Sequence, residues 1–292
     1  MSGLYRENID MSRLSSMRTG GVAKLACFPE TEQELCGLIR KLKAENTRFA
    51  VFGNLSNVLV PDGVLSFVPI ITTGFKQIRT HETADGVTVT AASGVSLTGL
   101  ALDFCRKNTA GLSFAYGIPG TVGGAVFMNA GAYGSEMKNV VQSVRFYDSD
   151  TDRVSEIAAE DCAFGYRTSI FQRKNGVILG ATLKLAADSS GTPLAEAKEF
   201  MRRRTEKQPL EYPSCGSAFK RPEGHFAGEL IEKCGLKGYA VGGACVSEKH
   251  AGFVINTGGA TSADVEQLLR DVRQKVSERF GVLLEPEIRI YK

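Results

Sequence analysis

No stretch of this chain approaches the ~18 uninterrupted apolar residues that a membrane span needs. The first ten residues carry Arg6, Glu7 and Asp10 and hold no apolar signal core, so export is not expected and the cytoplasm is the expected compartment. There is no block of five or six like charges; 35 basic and 32 acidic residues are well mixed, which argues against a nucleic-acid partner. The short run Arg202-Arg203-Arg204 lies among Glu199, Glu206 and Lys207, as on a solvated helix face. None of the seven cysteines forms a C-x-x-C pair and their number is odd, which disfavours a disulfide framework or a zinc site. Only His81, His225 and His250 are present, too few and too scattered for a histidine-based metal cluster, so no metal is expected. The usual nucleotide signatures are also missing: no G-x-G-x-x-G opens a helix, and no G-x-x-x-x-G-K-[ST] occurs.

What the chain does have is glycine, 32 of 292 residues against a typical ~7%. Much of it clusters at 117–134, 216–243 and 252–259. Glycine permits close backbone approach, so the clusters read either as loops wrapped around a ligand or as ordinary tight turns. Around them the pattern is mixed. Helices are expected near 30–42, at 96–107 capped by Ser96, near 194–207, and at 262–280 opened by a Ser262 cap. Strands are expected at 49–52, 68–72, 87–91, 141–147, 177–185 and 282–291. Residues 117–134 show no periodicity and read as a long loop, kept from disorder by Ile118, Val122, Val126, Phe127 and Met128. No repeat or low-complexity segment is present, and the order of elements points to an α+β fold. The boundaries that follow are an N-terminal segment 1–18, subdomains at 19–80 and 81–190, and a C-terminal domain at 191–292.

Two segments have the make-up of phosphate-binding turns. One is Gly53-Asn54-Leu55-Ser56-Asn57, directly after a strand, where successive N–H groups, a hydroxyl and an amide can surround an anion. The other is Gly117-Ile118-Pro119-Gly120-Thr121-Val122-Gly123-Gly124-Ala125, whose small residues let a flat ring or pyrophosphate lie on the backbone. Together they suit one extended dinucleotide.

The whole of 117–134, GIPGTVGGAVFMNAGAYG, resembles the signature of the UDP-N-acetylenolpyruvoylglucosamine reductase family. Seven further blocks resemble that family in its order: Thr19-Gly20-Gly21, the 53–59 turn, Tyr166-Arg167-x-Ser169-x-Phe171, the run 213–220 (PSCGSAFK), Gly235-Leu236-Lys237-Gly238, the run 249–253 (KHAGF) and Leu284-Glu285-Pro286-Glu287. The resemblance implies a two-subdomain FAD-binding fold of the vanillyl-alcohol-oxidase type, followed by a C-terminal α/β substrate domain. It implies FAD as cofactor, held through Gly53–Asn57, Gly117, Gly120, Thr121, Gly123, Gly124, Ala125, Asn129 and Ala130. NADPH would serve as co-substrate, reducing the flavin and leaving before a UDP-sugar enolpyruvyl ether takes its place. The product would be UDP-N-acetylmuramate, a peptidoglycan precursor.

Hydride addition to the β-carbon of an enolpyruvyl ether pushes charge onto the adjacent carboxylate. Arg167 offers a permanent, bidentate fork for that group. By the resemblance Glu287 sits at the same carboxylate, protonated, and Ser217 protonates the α-carbon. If 282–291 is a strand, Glu285 and Glu287 share a face. Spacing therefore cannot choose between them; the family pattern points to Glu287. Lys207, Lys220, Arg221 and His250 are weaker candidates for substrate contact, and Cys215 has no base to make it a nucleophile. Two positions depart from the family: Leu55 stands where glycine is common, and Arg221 where asparagine is common. The interval of 50 residues from Arg167 to Ser217 resembles the shorter subclass, which lacks a tyrosine-bearing loop. Two other readings compete: an oxidase of the same fold, or an FAD-binding relic without activity. Oligomeric state is open, with a monomer as the simplest expectation.

Overall fold

The computed structural model describes residues 3–292, so the first two residues of the 1–18 segment lie outside it. Two compact units form. The first holds the segment ending at Arg6, Leu25–Asn54 and Phe67–Arg203; the second holds Glu7–Lys24, Leu55–Ser66 and Arg204–Lys292. Residues 19–24 and 55–66 thus fall with the C-terminal part. The reason is long-range pairing. Val58–Leu59 runs parallel to Arg289–Ile290, and Gly21 N–H donates to Pro61 O.

In the first unit, helix α1 (Glu32–Ala44) starts at a capping box between Thr31 and Glu34. Its buried face carries Leu35, Cys36, Leu38, Ile39 and Leu42. It lies with the parallel strands Phe49–Phe52 and Val68–Ile71 in one core. A second, antiparallel sheet runs in the order Arg153–Ala158, Val141–Asp148, Gly176–Ala187, Gly86–Ala92 and Ile78–Thr83. Helix α2 (Leu97–Arg106) is capped by Ser96, as its sequence indicates.

The 117–134 segment is not the continuous loop its pattern suggests. It contains helix α3 (Val122–Met128), with Thr121 as N-cap and Asn129 as left-handed C-cap. Helix α4 (Thr192–Lys207) follows the long strand after only residues 188–191, so no inserted loop lies there.

The second unit folds around α5 (Ala227–Lys233), α6 (Ser262–Phe280) and the sheet Ser214–Ser217, Phe253–Asn256, Ala244–Val246 and Ala240–Val241. Val265, Leu268, Leu269, Val272 and Val276 of α6 are buried, matching the expected stripe. Its cap, however, is Thr261 rather than Ser262. Ser262 is the first helical residue; its hydroxyl donates to Val60 O at 2.6 Å. The expected closing strand shrinks to Arg289–Ile290. Pro286 has no N–H to extend a ladder, and residues 282–288 instead make isolated contacts.

Candidate active site

In the first unit, the two glycine turns meet. Asn54 Nδ2 donates to Pro119 O at 3.1 Å. A Cβ on Gly53 would stand 2.3 Å from Thr121 Oγ1, so only glycine lets the turns approach this closely. Gly123 packs against Ser93, where a Cβ would meet Ser93 Cβ at 2.7 Å. These two glycines serve packing within the protein. Gly124 differs: it is exposed, and a Cβ there would meet only its own cap residue at 3.5 Å.

Both turns have backbone donors left over. Among the described residues, the N–H groups of Thr121, Asn54, Leu55, Ser56 and Asn57 find no protein acceptor. The buried Ser93 hydroxyl is likewise without a partner. Neither turn contains a carboxylate to repel an anion. Leu55, the departure from glycine, adopts φ 46° and is 4% exposed. It keeps the left-handed backbone that glycine would supply and adds a buried side chain. Asn129 and Ala130 belong to the end of α3, and Asn129 is fully buried and bonded at both ends of its amide, to Gly165 O and from Lys138 N–H.

Arg167 occupies a tight turn in the same unit. Its guanidinium donates to Gly131 O at 3.1 Å and lies 5.1 Å from the Tyr166 ring centre.

Ser217 and Glu287 belong to the second unit, and main-chain bonds bring them together. Ser217 ends its strand opposite Phe253, just after Gly216 at φ 76°, and is exposed. Glu287 N–H donates to Ala218 O at 2.9 Å, and Asn57 Nδ2 donates to Glu287 O at 3.1 Å. The rival carboxylate forms an ion pair. Glu285 Oε1 pairs with Lys220 Nζ at 2.6 Å, its side chain 69% exposed. That pair also occupies Lys220, so its amine serves Glu285 in this conformation. The tether from Asn57 to Glu287 has no signal in the sequence, because the two are brought together only by the parallel pairing beside them.

The weaker candidates divide. His250 Nδ1 accepts from Gly252 N–H at 3.1 Å, and burial holds the ring's pKa below its ordinary 6.5. Lys237 and Lys207 lie near it as cations and Glu232 as an anion, and Lys237 Nζ pairs with Glu232 Oε1 at 2.6 Å. Lys237 lies in the 235–238 block and was not singled out as a site residue. Arg221 stacks 4.4 Å from the exposed Phe226 ring. Cys215 is buried, and desolvation pushes its thiol up to about 12, which rules it out as a thiolate. Among the described residues no cluster of metal-ligating side chains occurs, and no helix is long and apolar enough to cross a membrane.

Residues 208–291 match the profile described as UDP-N-acetylenolpyruvoylglucosamine reductase, C-terminal domain. The chain is 42% identical to the UDP-N-acetylenolpyruvoylglucosamine reductase of Caldicellulosiruptor saccharolyticus over 98% of its own length and 93% of that protein's. The chain belongs to this reductase family. Residues 23–155 match an FAD binding domain, so the chain is a flavoprotein oxidoreductase. The reductase of Streptococcus pneumoniae (strain JJA) is 43% identical over 94% of this chain and 90% of that protein. The crystal structure of the UDP-N-acetylenolpyruvylglucosamine reductase from Thermus caldophilus superposes with a TM-score of 0.82 at 31% identity, covering 99% of this chain and 100% of that one. The α+β fold expected from the sequence, an FAD-binding part followed by a reductase C-terminal domain, is borne out.

Proposed function

We propose that this enzyme uses NADPH and FAD to reduce UDP-N-acetylglucosamine-enolpyruvate to UDP-N-acetylmuramate, acting in the cytoplasm as a monomer. What supports the reading is an exposed Ser217 hydroxyl tied through the main chain to Glu287, while the competing Glu285 is held by Lys220, in a chain of this family. When bound, FAD would be held by the 53–57 and 117–125 turns and would supply hydride chemistry for the enolpyruvyl double bond. The protein's own part is to stabilise the electron pair displaced onto the α-carbon and carboxylate of the substrate. Arg167 binds that carboxylate and stabilises its growing charge; one such donor is worth roughly 10²–10³ in rate. Glu287, protonated, donates to the same group. Ser217 gives its hydroxyl proton to the α-carbon, which completes the C–H bond, and water restores the serine. Lys207 and His250 take the diphosphate of the UDP-sugar.

The purified protein should be yellow, be bleached by NADPH, and recover its colour anaerobically on addition of the enolpyruvyl substrate. Bleaching without anaerobic recovery would overturn the assignment in favour of an oxidase.

A further inference from the structure

Arg167 sits where an arginine is not expected. Gly165 N–H donates to Thr168 O at 3.0 Å and Thr168 N–H returns to Gly165 O at 3.2 Å, which closes a turn with Tyr166 and Arg167 at its centre. At φ 55° Arg167 lies in the left-handed region, where a residue with a Cβ is strained. Glycine or asparagine fills such a place without that penalty. Strain of this kind persists only where the surroundings hold it, and it gathers at functional sites.

Here two side-chain amides hold it. Gln172 Nε2 donates to the carbonyl of Arg167 itself at 3.0 Å and to Phe127 O, near the end of α3, also at 3.0 Å. Asn129, 0% exposed, donates from Nδ2 to Gly165 O at 2.9 Å and accepts from Lys138 N–H at 2.9 Å. Ser169 Oγ adds a second bond to Phe127 O at 2.7 Å. Both ends of the turn are thereby fastened to the C-terminal end of α3. The guanidinium reaches Gly131 O, two residues beyond Asn129, so backbone and side-chain tip are fixed against one short segment.

We infer that Asn129 and Gln172 are positioning residues, which hold the Tyr166-Arg167 turn in its left-handed form and so set where the Arg167 guanidinium meets the substrate carboxylate. The inference rests on the role proposed above for Arg167. It gives the Asn129 side chain work inside the protein in place of contact with the cofactor.

The test uses the FAD-loaded enzyme and three measurements: NADPH-driven bleaching, recovery of colour with the enolpyruvyl substrate, and equilibrium affinity for that substrate. Gln172→Met keeps the length of the side chain and removes both donors. It should slow recovery on the order of 10²-fold, the effect of a small misplacement of a binding group, and weaken substrate affinity. Bleaching rate and flavin content should stay at the parent's level. In an Arg167→Ala background the same substitution should cause no further loss, because it acts only through Arg167. If Gln172→Met fails to retain flavin, Ser169→Ala serves in its place: it removes the hydroxyl that ties the same turn to Phe127 O. An equal loss in bleaching and recovery, or a full additional loss in the Arg167→Ala background, would overturn the inference. A recovery rate unchanged in Arg167→Ala alone would overturn the reading of Arg167, and this inference with it.

Discussion

Gly53→Ala is the sharpest probe of how the two glycine turns depend on each other. The added methyl would stand 2.3 Å from Thr121 Oγ1, 3.1 Å from its Cγ2 and 3.2 Å from its Cβ. Thr121 cannot swing away freely. It is 3% exposed, and its Oγ1 accepts the Gly124 N–H at 3.3 Å as the N-cap of α3. Two losses follow from one methyl. Overpacking costs about 1–3 kcal/mol, and displacement of the cap adds about 1 kcal/mol. A total of about 2–4 kcal/mol corresponds to a melting temperature lower by roughly 5–15 °C for a unit of this size. The physical cause is tested by a double-mutant cycle. Thr121→Ala loses the cap but clears the space, so Gly53→Ala in that background should cost less by about 1–2 kcal/mol. Thermal melts of the four proteins, with flavin content measured on each, give the coupling directly. A single Gly53→Ala variant melting within about 2 °C of the parent, or strict additivity in the cycle, would refute the reasoning.

Other expectations concern the chemistry and the second unit. Ser217→Ala should leave bleaching by NADPH intact and slow anaerobic recovery by roughly 10²–10⁴; equal damage to both half-reactions would remove Ser217 as proton donor. Glu287→Gln should slow recovery by roughly 10²–10³, whereas Glu285→Gln, which breaks only a solvent-exposed pair, should change stability by less than about 1 kcal/mol and leave the rate near the parent's. Reversal of that order in stopped-flow traces would exchange the two carboxylates. For His250 the folded pKa lies below the ordinary 6.5, so the unfolded chain takes up the proton first as pH falls. Its contribution to stability is complete above that value and is lost below it; between about pH 7.5 and about pH 5.5, His250→Asn should lose less stability than the parent in urea titrations, and parallel losses would count against it. Leu55→Gly relieves a left-handed side chain, worth about 1–2 kcal/mol, but empties a buried site worth about 2–5 kcal/mol; a net loss of about 1–3 kcal/mol is expected in chemical denaturation, and a gain would show that the site collapses without strain.

Where local pattern and long-range packing agree, the sequence read correctly. The apolar stripes of α1 and α6 and the strand Phe49–Phe52 fall where periodicity places them. Helix α3 was missed because Gly123 and Gly124 each weaken a helix by about 1 kcal/mol relative to alanine. That penalty is outweighed by packing no pattern announces: the Thr121 cap and the fit of Gly123 against Ser93. The assignment of 55–66 to the second unit was hidden for a related reason. It depends on Val58–Leu59 pairing with the last strand of the chain, and a two-residue strand leaves no alternation to detect.

The three proposed site residues share a property that explains why the sequence could nominate them but not place them. Arg167 has left-handed φ, Ser217 follows a left-handed Gly216 at a register shift, and Glu287 follows Pro286 in a stretch too irregular for a ladder. At each, local propensity disagrees with the conformation adopted, and a remote main-chain or amide bond decides: Gln172 to Arg167 O, Ala218 N–H to Gly252 O, and Glu287 N–H to Ala218 O. Conflict between local and global preference is expected where a site must present a group rather than bury it. The choice between Glu285 and Glu287 is the plainest case. On a regular strand the two would share a face; here Lys220 N–H donates to Glu285 O and Glu287 N–H to Ala218 O on either side of a Phe219–Pro286 bridge, and Glu285 also carries the Lys220 ion pair. A bridge between residues this far apart in sequence is what no local pattern announces.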